Sequence, residues 1–89
     1  MSVANLTEWH ISRLSSRFEE DELIANTSDL TKRRIGDLVL CANSLTLAEC
    51  TNFFMDQTDP NHEDDPAFKA AAQICLEVVS IDPPIEAVA

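Results

Sequence analysis

Apolar residues recur at helical spacing in four stretches of this chain, and short polar segments separate the stretches. The first stretch repeats at steps of four residues, through Leu6, His10, Leu14 and Phe18. Steps of three to four residues place side chains on one face of a helix. The pattern therefore predicts a helical chain, and the polar segments predict the turns between its helices.

The first helix is predicted to begin after Asn5, because Asn5 can cap it and Glu8 follows at the spacing of a capping box. Its end is ambiguous. One long helix would place the acids at 19–22 near its C-terminus, where they oppose the helix dipole. A break at Ser15–Ser16 would instead make Ser16 and Glu19 a second capping box, which begins a short helix reaching Ala25. The sequence leaves both arrangements open.

The second stretch predicts a helix that begins at Thr27 or Ser28 and ends at Asn43–Ser44. Gly36 falls opposite its apolar side, where glycine costs about 1 kcal/mol relative to alanine. One interpretation is that Gly36 marks a close approach by another backbone. The apolar side is formed by Leu30, Ile35, Leu38, Val39, Cys41 and Ala42.

Thr46 and Glu49 form the clearest local signal in the chain, a capping box that begins the third stretch. Met55 points away from the apolar face of the helix that this box begins, which makes it a candidate contact residue. The residues predicted to be buried by that face are Leu47, Cys50, Phe53 and Phe54.

The last helix is predicted to begin at Asp65–Pro66, an N-cap aspartate followed by proline at the first helical position. It ends before Asp82–Pro83–Pro84, because proline disfavours helical structure in the residue that precedes it. Its apolar face is broad, and the alanines at 70–72 are small enough to let a neighbouring helix approach. This breadth predicts the central helix of the fold.

Together these patterns predict an all-α fold, a small single-domain bundle of four helices, or five if the first stretch is broken. The predicted domain covers residues 1–82, and residues 83–89 form a short C-terminal tail. The near absence of glycine supports this class, because the tight turns of an all-β protein favour glycine and the chain contains one, Gly36.

Charge divides the chain into two unequal halves. The net charge is −10, from 16 acidic and 6 basic residues. Residues 1–44 hold seven acids and five bases, a net −2, whereas residues 45–89 hold nine acids and one base, Lys69, a net −8. A negative field of this size attracts basic surfaces and repels nucleic acid and anionic membrane.

The chain contains no apolar run of about 18 residues, which predicts no transmembrane helix. Residues 1–5 lack the basic start and apolar core of a secretory signal, so we expect a cytoplasmic protein. Its three cysteines, Cys41, Cys50 and Cys75, are then expected to be reduced thiols packed as small apolar side chains.

The sequence predicts no metal site, no cofactor and no enzymatic activity. The soft ligands His10, His62 and the three cysteines show none of the spacings of structural zinc sites. A calcium loop read from Asp59 would need glycine at its sixth position and glutamate at its twelfth, where Asp64 and Ala70 stand. No motif for phosphate binding or nucleophilic catalysis is present.

Direct binding of nucleic acid is not expected, although Lys32, Arg33 and Arg34 form a basic run. Phosphate binding depends on net attraction and counterion release, which a strongly acidic chain disfavours. A helix-turn-helix over residues 28–57 would use as its reading helix one that carries Glu49 and Asp56 and no base. The basic run is better explained by ion pairs with the acids at 19–22 or with acids of a partner.

Protein binding remains as the function that these features favour. The chain is predicted to be a small acidic regulator or inhibitor that occupies a basic surface of another protein, in the sharpest version by imitating the charge of nucleic acid. Small acidic proteins of phages and mobile elements act in this way, and the likeness is one of size and charge. The predicted partner-binding residues are Asp56, Asp59, Glu63, Asp64, Asp65, Met55 and Trp9.

The alternative is a small chaperone or assembly subunit that binds through an apolar helix face. Burial of an aromatic anchor contributes a few kcal/mol, more than an exposed ion pair. Self-association into a homo-oligomer would fit this alternative. The contact would then be carried by Trp9, Phe53, Phe54 and Met55.

Overall fold

The described part of the chain, residues 6–59 and 65–81 of a computed structural model, forms five helices. We name them α1 to α5 in chain order. The arrangement is an all-α bundle, as the sequence predicts. The helices are α1 (Glu8–Glu20), α2 (Glu22–Ala25), α3 (Asp29–Ala42), α4 (Leu47–Gln57) and α5 (Pro66–Val79).

The last helix, α5, is the centre of the bundle, because it packs against each of the other four helices. Ala71, Ala72, Cys75 and Val78 are fully buried along it, and the small alanines allow its neighbours to lie close. The prediction of a broad apolar face on a central helix is confirmed. Residues 82–89 lie outside the described part of the chain, so the boundary between domain and tail stays a prediction.

The first helix begins later than predicted, at Glu8, with Thr7 as its N-cap. Thr7 Oγ1 accepts a hydrogen bond from the His10 N–H (3.3 Å), and His10 Nδ1 accepts one from the Thr7 N–H (3.0 Å). This pair is a capping box in which histidine takes the place of the usual glutamate. The predicted cap, Asn5, lies outside the described residues.

The first apolar stretch forms two helices, and the break falls at Asp21 rather than at Ser15–Ser16. Asp21 closes α1 by donating its N–H to the Arg17 carbonyl (3.2 Å). Its carboxylate also accepts from the Ile24 N–H (3.1 Å), which caps α2. One residue therefore serves both helices, and Glu22 then lies at an N-terminus, where the helix dipole favours an acid.

On α3, the predicted start at Ser28 is confirmed, but the apolar side is narrower than predicted. Ile35, Leu38 and Ala42 are buried. Leu30 and Cys41, which the periodicity assigns to that side, are exposed. The interpretation of Gly36 is also wrong for the described part of the chain, since a Cβ added there would meet nothing within 4 Å apart from its own stretch of helix backbone.

On α4, the predicted capping box is confirmed. Thr46 Oγ1 accepts from the Glu49 N–H (3.1 Å), and the Glu49 carboxylate accepts from the Thr46 N–H (3.0 Å). Cys50 and Phe54 are fully buried, and Met55 is exposed as predicted. None of the helices among the described residues is long and apolar enough to cross a membrane.

Candidate functional site

Three of the predicted partner-binding residues lie at the end of α4: Met55 and Asp56 in its last turn, and Asp59 two residues beyond Gln57. Met55 is 55% exposed, and both aspartates are exposed. We call these three residues the α4 acidic end. The structure thus places an apolar side chain beside two carboxylates on the surface.

Hydrogen bonds at the end of the helix hold this group in place. The Thr58 hydroxyl donates to the Met55 carbonyl (2.7 Å), and the Thr58 N–H also donates to that carbonyl (3.1 Å). The Asp59 N–H donates to the Asp56 carbonyl (3.2 Å). These bonds fix the backbone from which the three side chains project, which lowers the backbone part of the entropy cost of binding.

The acids lie at the end of α4 where they stabilise the helix least. The C-terminus of a helix carries partial negative charge, so carboxylates there oppose the helix dipole. The last turn of α4 contains no basic residue. The helix dipole therefore does not favour acids at this end of α4.

Asp65, another predicted partner-binding residue, uses its carboxylate for contacts within the fold. Its Oδ1 accepts from the N–H groups of Ala67 (3.0 Å) and Phe68 (3.4 Å), which caps α5. Its Oδ2 accepts from the Thr31 hydroxyl (2.9 Å) and lies 3.9 Å from an Arg34 nitrogen. The Thr31 hydrogen bond, above all, holds the pKa of Asp65 below its ordinary value, and the two backbone bonds and Arg34 act in the same direction.

Arg34, one residue of the basic run, contacts α5 rather than the acids at 19–22, and Arg17 of α1 also pairs with α5. Arg34 pairs with Asp65 and lies 4.5 Å from the centre of the Phe68 ring, a cation–π geometry that joins α3 to α5. Arg17 pairs with Glu77 of α5 (2.7 Å). Neither of these two ion pairs involves the acids at 19–22, although Lys32 and Glu19 line the same groove.

Trp9, also a predicted partner-binding residue, is half-buried in the first turn of α1. Its ring meets that of His10 edge to face, with 5.4 Å between the centroids. Glu63 and Asp64, the remaining predicted residues, lie outside the described part of the chain. Of the seven predicted residues, the structure thus brings Met55, Asp56 and Asp59 together.

His10 is the fully buried polar side chain at the start of α1. Because Nδ1 accepts from Thr7, we assign the proton of the neutral ring to Nε2. Nε2 is buried and no group among the described residues meets it in good hydrogen-bond geometry, although the Ile81 backbone lies near it. Burial lowers the pKa of His10 because it disfavours the charged ring, and the Ile81 carbonyl opposes this effect in part.

Two of the three cysteines are buried thiols. Burial raises the pKa of Cys50, with a smaller effect from the Glu49 charge, and it raises the pKa of Cys75 to about 12. The Cys50 thiol donates to the Ala42 carbonyl (3.2 Å), which ties α4 to the end of α3. Among residues 6–59 and 65–81, no three His, Cys, Asp or Glu side chains are grouped so that they could hold a metal ion.

Sequence reasoning missed the apolar surface of α2 and α3. Leu23 is 50% exposed, Leu30 68% and Leu40 70%, whereas Phe54, a predicted apolar contact residue, is fully buried. A signal existed in the sequence. Leu40 falls beside Gly36 and the basic run on a helical projection, outside the stripe of Ile35, Leu38 and Ala42.

Comparison with known proteins does not indicate what binds to the surface of this chain. No protein-family model matches the chain, no curated protein matches it, and no solved structure resembles it at a significant level. Its function must therefore be inferred from the geometry and charge of the described residues.

Proposed function

We propose that this chain is a small, non-catalytic binding module whose acidic surface occupies a basic surface of a partner protein. The observation that carries the proposal is the α4 acidic end, where an exposed Met55 stands beside the carboxylates of Asp56 and Asp59. Interfaces commonly combine an apolar anchor with a charged rim. The net charge of −8 in residues 45–89 supplies the long-range attraction.

The sharpest form of the proposal is a regulator or inhibitor that imitates the charge of nucleic acid. A groove that binds nucleic acid presents lysine and arginine side chains to a line of phosphates. A rigid surface that carries several carboxylates can occupy such a groove and exclude nucleic acid from it. A cytoplasmic location, where such partners are found, stays part of this proposal.

The test is capture of partners by the immobilised protein from a nuclease-treated host lysate at low and high salt, followed by affinity measurements. We expect a nucleic-acid-binding protein that is retained at about 0.05 M NaCl and released at about 0.5 M, because salt screens exposed charges. The protein should also displace a labelled oligonucleotide from the captured partner.

Two variants with the same net charge separate the contribution of the α4 acidic end to binding from the contribution of the net charge. Asp56→Lys with Asp59→Lys should weaken binding at least about tenfold, since close interfacial charges each contribute about 1 kcal/mol or more. Glu20→Lys with Glu22→Lys changes the net charge by the same amount elsewhere, and should cost far less. Equal losses in the two variants, or no loss in either, would contradict the proposed site, as would failure to capture any salt-sensitive partner.

An apolar contact remains the second candidate function, but with different residues from those predicted. Phe54 is fully buried and cannot be a first contact for a partner. The exposed leucines of α2 and α3 supply an apolar surface in its place. This observation favours an assembly role, in which binding tolerates high salt.

A further inference from the structure

Thr58, the C-cap residue of α4, closes the helix that carries the α4 acidic end. Its hydroxyl donates to the Met55 carbonyl (2.7 Å), and its N–H reaches the same carbonyl (3.1 Å) and that of Phe54 (3.2 Å). The Asp59 N–H then donates to the Asp56 carbonyl (3.2 Å). Thr58 and Asp59 therefore both bond back to the last turn of the helix.

This last turn is a place where a helix tends to fray. The last four carbonyls of a helix have no partner within it, and terminal turns open at little cost in free energy. Asp56 lies in the turn and Asp59 just beyond it, where carboxylates oppose the helix dipole, and the turn contains no basic residue. The charges of the α4 acidic end therefore loosen the turn that presents them.

The end of α3 is closed by the same kind of bond without the acids. There the Ser44 hydroxyl donates to the Cys41 carbonyl (2.9 Å), three residues back, as Thr58 does to Met55. The last four residues of α3, 39–42, carry no charged side chain. Ser44 thus provides an internal reference for what such a hydroxyl bond contributes to a helix end alone.

The carbonyl that Thr58 holds belongs to Met55, the apolar member of the α4 acidic end. Met55 is 55% exposed, and Asp59 follows it by four residues, about one helical turn. The side chains of Met55, Asp56 and Asp59 keep their relative positions only while the backbone of residues 55–59 keeps this turn. A partner that met a frayed end would have to order these residues first, at a cost in backbone entropy.

We propose that Thr58 is a positioning residue of the α4 acidic end, and that its hydroxyl determines how tightly this end binds a basic surface. Because the role belongs to the same site, it rests on the proposed function. Thr58 acts through the Met55 carbonyl, and the partner contacts Met55, Asp56 and Asp59. Loss of the hydroxyl therefore weakens binding although no group that contacts the partner has changed.

Three variants separate positioning from stability. Thr58→Val keeps the shape of the side chain and removes the hydroxyl, whereas Thr58→Ser keeps the hydroxyl. Ser44→Ala removes the corresponding bond at the end of α3 and leaves the end of α4 unchanged. Urea unfolding should show small losses of similar size for Thr58→Val and Ser44→Ala, because each variant loses one hydroxyl-to-carbonyl bond at a helix end.

Binding is read from the methyl group of Met55, which is one of two methionines in the chain. The full chain, isotope-labelled at its methionine methyl groups, is titrated in about 0.05 M NaCl with a synthetic peptide of about eight alternating lysine and alanine residues. The shift of the Met55 methyl signal, assigned with Met55→Leu, gives the dissociation constant for binding at the α4 acidic end.

We expect Thr58→Val to raise this dissociation constant about threefold to tenfold, since the peptide must then order a looser turn. Thr58→Ser should restore the wild-type value to within about twofold, and Ser44→Ala should change it by less than about twofold. Equal losses in Thr58→Val and Ser44→Ala would reflect general stability and overturn the positioning role.

The failure of this role and the failure of the proposed function give different results. If the wild-type Met55 signal shifts and Thr58→Val binds as tightly, Thr58 has no positioning role and the proposed function stands. If the wild-type signal does not shift at any peptide concentration, the α4 acidic end does not bind a basic chain, and both proposals are wrong.

Amide hydrogen exchange of the free protein gives a second test that does not depend on the peptide. The Asp59 amide should exchange at least about threefold faster in Thr58→Val than in the wild type, and faster than in Ser44→Ala. An unchanged exchange rate at Asp59 would show that the Thr58 hydroxyl does not restrain this turn, and would overturn the proposal.

Discussion

At the scale of single residues, His10 stabilises the fold only while its ring is neutral. The neutral ring accepts the Thr7 N–H through Nδ1 and completes the capping box of α1. A protonated ring has donors at both nitrogens and no acceptor. Protonation would therefore break the box and place a charge in a site with no exposure to solvent.

We expect the free energy of unfolding to fall as the pH is lowered from about 7.5 to about 5.5. The pKa of His10 is lower in the folded protein than its ordinary value of 6.5, so the unfolded chain binds the proton more readily. The stabilising contribution of neutral His10 is thus fully present at pH values above the pKa of His10 in the unfolded chain. As the pH falls below that pKa, the contribution is lost, by at most about 1.4 kcal/mol per pH unit for one group.

Urea unfolding at a series of pH values checks this prediction, with His10→Gln as the control. Glutamine can accept the same Thr7 N–H but does not titrate. His62 is present in both proteins, so its contribution cancels in the comparison. An equally steep pH dependence in the His10→Gln protein would show that another group is responsible.

At the scale of elements, the helix ends are fixed by side chains that cap them. Thr7, Asp21, Ser28, Thr46 and Asp65 each accept a hydrogen bond from the first turn of the helix that they precede. Asp65 does more than the others, because its second carboxylate oxygen also binds Thr31 of α3. It therefore begins the central helix and attaches that helix to α3.

Asp65→Ala should lower the free energy of unfolding by about 1–3 kcal/mol, because it removes an N-cap and leaves the Thr31 hydroxyl without its acceptor. Thr31→Val removes the bond between the helices and keeps the cap, and it should cost about 1 kcal/mol. Asp56→Ala, at an exposed position, should stay within about 0.5 kcal/mol of the wild type.

Chemical denaturation of the three variants in urea gives these values directly. The order of stability is the informative result. If Asp65→Ala were no less stable than Asp56→Ala, the contacts made by Asp65 would contribute nothing to the fold, and partner binding would again be the better explanation of this carboxylate.

At the scale of the whole molecule, charge works against the compact state. Residues 45–89 carry a net −8, and their acids include the α4 acidic end. The attraction from Arg17–Glu77 is modest, since both side chains are partly exposed to solvent. Repulsion among these acids therefore destabilises the folded protein.

We expect the melting temperature to rise by several degrees between about 0.01 M and about 0.15 M NaCl, because the screening length falls from about 30 to about 8 Å. Thermal unfolding followed by circular dichroism measures the change. Asp56→Asn with Asp59→Asn should reduce the dependence on salt, and Lys69→Glu should increase it. A melting temperature that falls with added salt would mean that ion pairs outweigh the repulsion.

The sequence was a good guide wherever structure depends on neighbouring residues. The capping box at Thr46, the N-cap at Asp65 and the burial along α5 depend on groups within a few positions of one another. Charge is equally a property of the sequence, so the acidic character of the second half needed no structure. The start of α1 was misjudged because a histidine in place of glutamate is an uncommon capping partner.

The tertiary structure decided which apolar residues are buried. A helix buries only the stripe that its neighbours cover, and among the described residues α3 packs most extensively on α5. The stripe of Ile35, Leu38 and Ala42 meets α5 and its neighbours, whereas Leu30 and Leu40 remain exposed. The same packing ties Asp65 to Thr31 and leaves the α4 acidic end on the surface. Hydrophobic periodicity gives the direction in which each side chain points from the axis of its helix. The width of the buried face depends instead on contacts between distant parts of the chain.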